Sequence, residues 1–261
     1  MGRVRSLRPF DPILFIMKST VFSRSLLILS LSAFFLSSVQ AAPSADEMIA
    51  KAREFLGGDE RLAAVQTLQY TGDFVGADGT TATIEILLQK PLLQRITLVR
   101  EDRGQRTVLG EFESWIEIFD PANPERKNII LQDDPRAVRE LRATTWENLY
   151  FFSGLSQRGG RVESLGMSDM EGRSLMGLNF RHRGGVNFTR YFDPASGELV
   201  FTKSDQTRIR EEGHQTVNGI RFPVKVITER NGELLHTVTF TSIKVNEPIP
   251  EEVFTFPRIR R

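Results

Sequence analysis

From Leu68 onwards, most of the chain alternates between apolar and polar side chains. In residues 81–88, one face of an extended chain would carry four apolar side chains, those of Ala82, Ile84, Ile86 and Leu88. Alternation with a period of two predicts a β-strand that buries one face. Similar runs recur in residues 95–119 and 176–245, where two Asn-Gly pairs, at 218–219 and 231–232, are hairpin-turn signals. The pattern predicts about ten short antiparallel strands.

Two segments follow the helical period instead. Ser44 and Glu47 form a capping-box signal before a short amphipathic stretch, which Gly57-Gly58 ends. Asp134-Pro135 is an N-cap followed by proline, and residues 138, 141, 145, 149 and 152 then recur at steps of three and four. These signals predict an N-terminal helix, one further helical turn over residues 59–65, and a central helix that ends near Gly154.

A sheet of this length tends to curl or close, and two helices are available to cover its apolar face. We therefore expect a mainly β fold with some α: a curved antiparallel sheet that curls or closes into a barrel, with helices covering the concave face. No linker divides the chain, so residues 42–261 are expected to form a single domain. Residues 120–124 carry two prolines and are expected to form a loop, because proline cannot continue a central strand ladder.

The first 41 residues have the pattern of a secretory signal peptide. After Met17, Lys18 and Arg24 precede an apolar run, and small residues at positions 39 and 41 match a cleavage site. Residues 1–41 are therefore expected to direct export to the periplasm and to be removed, with Met17 as an alternative natural start. An uncleaved anchor is the competing interpretation. The chain contains no cysteine, so lipid anchoring through an N-terminal lipobox cysteine is excluded.

Composition and motif spacing exclude several function classes. The chain has 34 Lys and Arg against 33 Asp and Glu, a net charge of +1, which argues against a nucleic-acid partner. With 0 Cys and 3 His at unrelated spacings, we expect no metal site and no cofactor. No serine lies in a nucleophile elbow, so no catalytic residue is predicted and the protein is expected not to be an enzyme.

A histidine and two glutamates are titratable residues for which we favour a structural role over a catalytic one. His182, between two arginines, is interpreted as a solvated strand end. Glu113 and Glu117 are interpreted as part of a solvated sheet edge. The competing hypothesis is an enzyme that acts on envelope lipids or glycans, in which one of these carboxylates would be buried in the cavity with a raised pKa.

Aromatic residues point to a binding function. A curled sheet of this size can enclose more apolar lining than two helices fill, and barrels can hold a lipid-like ligand in that space. We expect the central helix to act as a lid over it. The predicted lining of this apolar cavity is Trp115, Phe119, Trp146, Phe152, Phe180, Phe188 and Phe240.

The order of signal peptide, capped helix, strands, central helix and closing hairpins resembles the periplasmic lipoprotein-carrier superfamily (LolA/LolB-like, outer-membrane lipoprotein-sorting proteins). The resemblance covers residues 44–257. It is carried by Gly57-Gly58 with Leu62 and Val65, by residues 218–223 (NGIRFP), and by Val245-Asn246, Ile249-Pro250 and Phe254-Thr255-Phe256-Pro257.

This resemblance implies a function without covalent chemistry. Proteins of this superfamily are open barrels whose helices cover an apolar cavity, and the cavity accepts acyl chains. The resemblance therefore implies an open (incomplete) antiparallel β-barrel, a LolA-like half-barrel domain over residues 42–261, with helices covering the concave face. The resemblance implies a periplasmic carrier for a lipid or an acylated lipoprotein, with membrane-bound donor and acceptor proteins as partners and a role in lipoprotein transport and outer-membrane biogenesis. The alternative on the same fold is an envelope regulatory or interaction module that senses a protein partner.

Overall fold

The computed structural model of the protein describes residues 42–257. Within this range, thirteen β-strands join into one sheet in which every neighbouring pair is antiparallel. The strands are β1 (Thr67–Gly76), β2 (Thr81–Gln89), β3 (Leu93–Val99), β4 (Gly104–Leu109), β5 (Ser114–Asp120), β6 (Asn123–Leu131), β7 (Arg161–Met170), β8 (Arg173–Arg181), β9 (Asn187–Phe192), β10 (Leu199–Ser204), β11 (Thr207–Val217), β12 (Ile220–Arg230) and β13 (Glu233–Val245).

The first and the last strand meet in the middle of the sheet. The strand order is β6-β5-β4-β3-β2-β1-β13-β12-β11-β10-β9-β8-β7, so β1 pairs with β13 and consecutive strands extend the sheet on both sides. Among the described residues, the outer edges of β6 and β7 pair with no further strand. The sheet is therefore open, as the family resemblance implies.

Three helices lie between or before the strands: α1 (Ala45–Leu56), α2 (Asp59–Ala64) and α3 (Pro135–Tyr150). The capping box at the start of α1 is present, since the Glu47 N–H donates to Ser44 Oγ and the Ser44 N–H donates to the Glu47 carboxylate. Asp134 caps α3 by accepting from the Arg136 N–H at 2.9 Å, with proline in the first turn. All three helices begin where the sequence signals predict.

The sheet curls around α3. Thr145 on α3 lies within hydrogen-bond distance of Gln94 on β3, at 3.2 Å between Oγ1 and Oε1. Two residues further along the helix, Glu147 pairs with Arg190 on β9. These strands are separated by seven strand intervals, which would be about 34 Å across a flat sheet. A helix is only about 10–12 Å wide with its side chains, so the face towards α3 must be concave.

Two apolar clusters hold the helices on the concave face. One joins α2 and the end of α3 to the centre of the sheet and includes Leu62, Leu68, Leu149, Phe222 and Ile243. The other joins α1 to β8 and β9 and includes Met48, Met176, Leu178, Phe180 and Phe192. Each fully buried side chain of this kind contributes about 1.5–3 kcal/mol, so burial in these clusters is a main source of stability.

Arg53 connects the two long helices. Its guanidinium Nη1 donates to the carbonyl oxygens of Tyr150 and Phe151, at 3.1 and 2.7 Å, and its Nε pairs with Asp59. The last carbonyls of a helix have no partner within the helix and carry its partial negative charge. A buried arginine of α1 therefore caps the C-terminal end of α3.

The C-terminal segment crosses the convex face of the sheet. The Gln69 side-chain amide on β1 donates to the carbonyl oxygens of Glu247 and Pro248, at 3.2 and 3.3 Å. Further along, the Phe256 ring packs edge-on against Trp115 on β5, with ring centroids 5.3 Å apart. The segment between these contacts covers the outer surface of β1 to β5.

The structure differs from the sequence prediction in three places. Thirteen strands replace about ten, chiefly because the edge strands β6 and β7 have no regular alternation. Residues 123 and 124, expected in a loop, begin β6, which tolerates Pro124 because it is an edge strand. The central helix ends at Tyr150, because the next two residues, Phe151 and Phe152, have positive φ angles of 48° and 68°.

Two further expectations concern the predicted signal peptide and the assignment of residues 42–261 to one domain. The predicted signal peptide of residues 1–41 and its cleavage site lie outside the described residues. In residues 42–257, no helix is both long and apolar enough to span a bilayer. The assignment of residues 42–261 to one domain stays a prediction, although one continuous sheet runs through the described part.

Candidate ligand-binding cavity

A cavity of about 530 Å³ lies between α3 and the concave face of β1 to β4. Its volume is within the range of about 300–1,000 Å³ that is typical of small-molecule sites. Apolar side chains form its middle. They come from β1, β2, β3, α3 and the β12–β13 hairpin: Phe74, Ala82, Ile96, Leu98, Ala137, Leu141 and Leu235.

Strand register explains why these residues point into the cavity. Ile96 on β3 pairs with Ile86 on β2, and Leu98 pairs with Ile84, so the apolar residues of both strands share one face. Side chains of consecutive strand residues point to opposite faces, so the residues between them point outwards. Arg95 is one of these and forms an ion pair with Glu85 at 2.8 Å on the convex side.

One end of the cavity is basic. Three turns converge there, and Arg100, Arg103 and Arg230 contribute to the lining from β3–β4 and β12–β13. Asp78 in the β1–β2 turn lines the same end and is exposed to solvent. Hydrogen bonds from Thr80, with a smaller contribution from Arg100, hold the pKa of the Asp78 carboxyl below its usual range. We call this region, defined by the three arginines, the basic end.

His236 lies on the same wall and is buried. Burial and, to a smaller extent, the nearby Arg230 lower the pKa of its imidazole. The side chain is therefore neutral at physiological pH and adds no charge to the cavity.

Two buried glutamines also line the cavity. Gln94 on β3 is 1 % exposed, and its side-chain Nε2 has no hydrogen-bond partner within residues 42–257. Gln105 on β4 is 7 % exposed, and its Oε1 likewise has no partner in the described part of the chain. Buried polar atoms are usually hydrogen-bonded, so each of these atoms is available to a bound molecule.

A buried ion-pair cluster fixes α3 to the far half of the sheet. The Glu147 carboxylate accepts from Arg190 on β9 and lies 2.6 Å from Nε2 of His182. Burial alone would raise the pKa of Glu147, but Arg190 and His182 hold it below its usual value. The interpretation of His182 as a solvated strand end is wrong, because only 9 % of its side chain is exposed.

The structure separates the seven aromatic residues predicted to line a cavity. Among the described residues that border the 530 Å³ cavity, none of the seven is present. Trp115 and Phe119 lie on β5, on the convex face. Trp115 contacts Phe256, and the Phe119 ring packs against the Arg106 guanidinium at 4.0 Å.

The other five residues occupy three different parts of the concave side. Trp146 stacks on Tyr150 of the same helix, with centroids 3.5 Å apart. Phe240 packs against Tyr70 at 5.0 Å. The remaining three surround the Arg190 guanidinium, which lies 4.9, 4.8 and 5.7 Å from the ring centroids of Phe152, Phe180 and Phe188. Whether any of the seven contacts a ligand stays a prediction.

The carboxylates considered for acid–base chemistry lie away from the cavity. Glu117 is buried on β5, where Arg106 and Lys127 lie 3.1 and 3.6 Å from its carboxylate. Glu113 is exposed in the turn before β5. The solvated-edge interpretation is therefore wrong for Glu117, which belongs to a convex-face ion-pair cluster. In residues 42–257, no group of three or more His, Asp or Glu is arranged to hold a metal ion.

Sequence comparison alone identifies no relative: no family model matches this chain, and no curated protein does. Comparison of folds finds solved structures of similar architecture. A LolA superfamily protein from Nitrosomonas europaea superposes with a TM-score of 0.55 at 12 % identity, covering 82 % of this chain and 99 % of the other.

Two further solved structures share the architecture. A putative outer membrane lipoprotein-sorting protein domain from Vibrio parahaemolyticus gives a TM-score of 0.52 at 10 % identity, covering 81 % of this chain and 97 % of its own. A DUF1329 family protein from Desulfovibrio piger gives 0.53 at 10 % identity, with coverage of 80 % and 96 %. At these identities the likeness is one of fold, and it confirms the fold that the sequence resemblance implies.

Proposed function

We propose that this protein is a periplasmic carrier that holds an acyl chain of a lipid or a lipoprotein in the cavity between α3 and β1 to β4. One observation supports the proposal above others: a space of about 530 Å³ with an apolar middle lies on the concave face of an open sheet. Burial of each methylene contributes about 0.8 kcal/mol, so an acyl chain can be bound firmly and still be released to a more apolar receptor. Such a cycle needs no covalent step.

The fold comparisons support the same class of function. Two of the three similar structures are described as a LolA superfamily protein and an outer membrane lipoprotein-sorting domain. Transfer of that role to this chain is part of the proposal, as are export to the periplasm and transfer between membrane-bound donor and acceptor proteins. The proposal places the ligand among Ile96, Leu98 and Leu141 rather than among the seven aromatic residues predicted from the sequence.

A cavity-filling substitution tests the proposal. Ala82→Phe adds a ring to a small residue of the lining, so we expect it to weaken binding of a fluorescent fatty acid at least about tenfold. Thr83→Phe is the matched control, because Thr83 is the next residue on β2, is exposed and points to the other face. Fluorescence titration measures both, and circular dichroism confirms that both variants fold.

Native mass spectrometry of the protein purified without detergent adds an independent result. The proposal predicts a co-purifying mass that fits a lipid or an acylated peptide. A protein that carries no such mass and takes up no fluorescent fatty acid would contradict the carrier function.

One observation favours the alternative of a protein-interaction module. Phe112, in the turn before β5, is 78 % exposed, and Leu131, which pairs with Trp115 at the end of β6, is 56 % exposed. Exposed apolar side chains beside an unpaired strand edge are typical of contacts with another protein. Crosslinking in cell envelopes distinguishes the two functions: a sensing module predicts one tight protein complex and weak lipid extraction.

A further inference from the structure

The cavity has a polarity gradient along β3. At the basic end, Arg100 follows directly after the strand, while Ile96 and Leu98 form the apolar middle and Gln94 lies at the other end. Six residues separate Arg100 from Gln94, which corresponds to about 20 Å of extended chain. An elongated molecule that lies along β3 would therefore have one end among arginines and most of its length among apolar side chains.

Most of the charged side chains that line the basic end are positive. Three arginines and one aspartate line it, and Asp102 lies 3.4 Å from Arg100 as an exposed counter-ion. These arginines lie in a partly enclosed space, where charges are screened less than in bulk water. Guanidinium groups bind phosphate and carboxylate through paired, charge-assisted hydrogen bonds. An anionic group is therefore the ligand part that this end recognises.

The buried glutamines argue against a purely hydrocarbon ligand. Gln105 pairs with Leu98 on β3 and lies two residues from Arg103, so it marks the boundary between the apolar middle and the basic end. Its side-chain Oε1 has no partner in the described residues. A hydrocarbon over this position would leave a buried amide unsatisfied, which is unfavourable. An ester, amide or hydroxyl group next to the headgroup would satisfy it, because rotation of the amide exchanges donor and acceptor.

The volume of the cavity limits the number of chains. If each non-hydrogen atom of a ligand takes about the 30 Å³ of a water molecule in the liquid, the cavity accommodates on the order of 18 such atoms. That is the size of one acyl chain with its carboxylate, and a larger headgroup would extend into solvent at the basic end, where Asp78 is exposed.

We infer that the cavity selects an amphiphile with a single acyl chain and an anionic headgroup, phosphate or carboxylate, which Arg100, Arg103 and Arg230 bind at the basic end. The inference rests on the proposed carrier function and names its ligand class. The acyl chain lies over Ile96 and Leu98, and the linkage next to the headgroup contacts Gln105.

Competition between matched amphiphiles tests this ligand class. The competitors are a free fatty acid, a lysophosphatidylglycerol and a monoacylglycerol with the same saturated chain, each used below its critical micelle concentration. Displacement of a bound fluorescent fatty acid measures the affinity of each competitor. The inference predicts that at least one of the two anions binds about tenfold more tightly than the neutral lipid. The affinities of the fatty acid and of the lysophosphatidylglycerol show whether the basic end prefers a carboxylate or a phosphate. Higher salt should reduce the difference.

Charge-removing variants locate the headgroup. Arg103→Gln and Arg230→Gln, made singly, are expected to reduce the affinity for the anion about tenfold, which is several times more than they reduce the affinity for the monoacylglycerol. Arg126→Gln on the exposed edge strand β6 is the control and should change neither value. Gln105→Leu is expected to weaken lysophospholipid binding about fivefold. Circular dichroism verifies that each variant folds. Each arginine variant tests the position of the headgroup independently of the other.

The outcomes separate this inference from the function on which it rests. Equal affinities for anionic and neutral lipids, with no effect of either arginine variant, would overturn the headgroup assignment and leave the carrier function standing. Absence of binding by all three amphiphiles would overturn both.

Discussion

Glu211 is an acidic side chain in an environment that disfavours its charge. It lies on β11, and burial raises its pKa to about 6, while Arg190 lowers it and Glu198 raises it further. A group whose pKa is higher in the folded than in the unfolded state binds more protons when folded. The free energy of unfolding should therefore fall as the pH rises from about 4.5 to about 6.

Replacing Glu211 tests this pH dependence. A shift of about 1.5 units corresponds to about 2 kcal/mol, so wild type should lose that amount, relative to Glu211→Gln, between pH 4.5 and pH 7. Urea unfolding at several pH values measures the difference between the two proteins. Glu212→Gln is the control, because Glu212 is adjacent, exposed and paired with Lys225 at 3.1 Å. Parallel pH profiles of wild type and Glu211→Gln would contradict the account.

At the residue scale, the sequence could predict conformation better than partners. The asparagines of both Asn-Gly pairs have the positive φ angles that their turns require, 50° at Asn218 and 53° at Asn231. The contacts of Glu147 with Arg190 and His182 could not be predicted, because these residues lie 43 and 35 positions, respectively, from Glu147 in the sequence. Local patterns encode turn geometry, whereas a buried ion pair depends on how the sheet curls.

At the scale of elements, α3 has two kinds of attachment to the sheet. Towards β3 it borders the cavity, with Ala137 and Leu141 in the lining. Towards β9 it is held by the buried pair between Glu147 and Arg190. The helix over the cavity is thus fixed at a point outside the cavity itself, so a substitution at Glu147 can weaken this attachment without replacing a residue of the lining.

Removing the Glu147 charge tests this attachment. Glu147→Gln leaves Arg190 buried without its counter-ion, so we expect the free energy of unfolding to fall by about 3–5 kcal/mol. Glu140→Gln on the same helix is the control, since Glu140 pairs with Arg136 near the surface, and the expected loss is below about 1 kcal/mol. Denaturant titration measures both variants. Equal, small losses in the two would show that the buried pair does not hold α3.

The sequence pattern did not predict the two strands at the edges of the sheet, β6 and β7. In β6 every residue except Ile129 is exposed, and in β7 the apolar residues Leu165 and Met167 are exposed. A strand with no fully buried face has no reason to alternate, so periodicity could not reveal it. The interior strand β2 alternates as predicted, because its apolar face packs against helices and neighbouring strands.

At the scale of the whole molecule, curvature could be predicted but the position of the cavity could not. The number of strands requires a curled sheet, and the two predicted helices cover its concave face as expected. The largest aromatic side chains were predicted to surround the ligand. Two of these residues, Trp115 and Phe180, are fully buried in contacts with other residues, and their contact with a ligand stays a prediction. Large rings fill space well, and the cavity remains where smaller side chains such as Ala82 and Ala137 line it.

Photo-crosslinking with a fatty acid that carries a diazirine in its chain tests the central claim most directly, because it reports where the chain lies. Peptide mass spectrometry then identifies the labelled residues. The account predicts labels on β2, β3 and α3, at or next to Ala82, Ile96, Leu98 and Leu141. Labels confined to the cluster of Phe152, Phe180 and Phe188, or to the convex face, would contradict it.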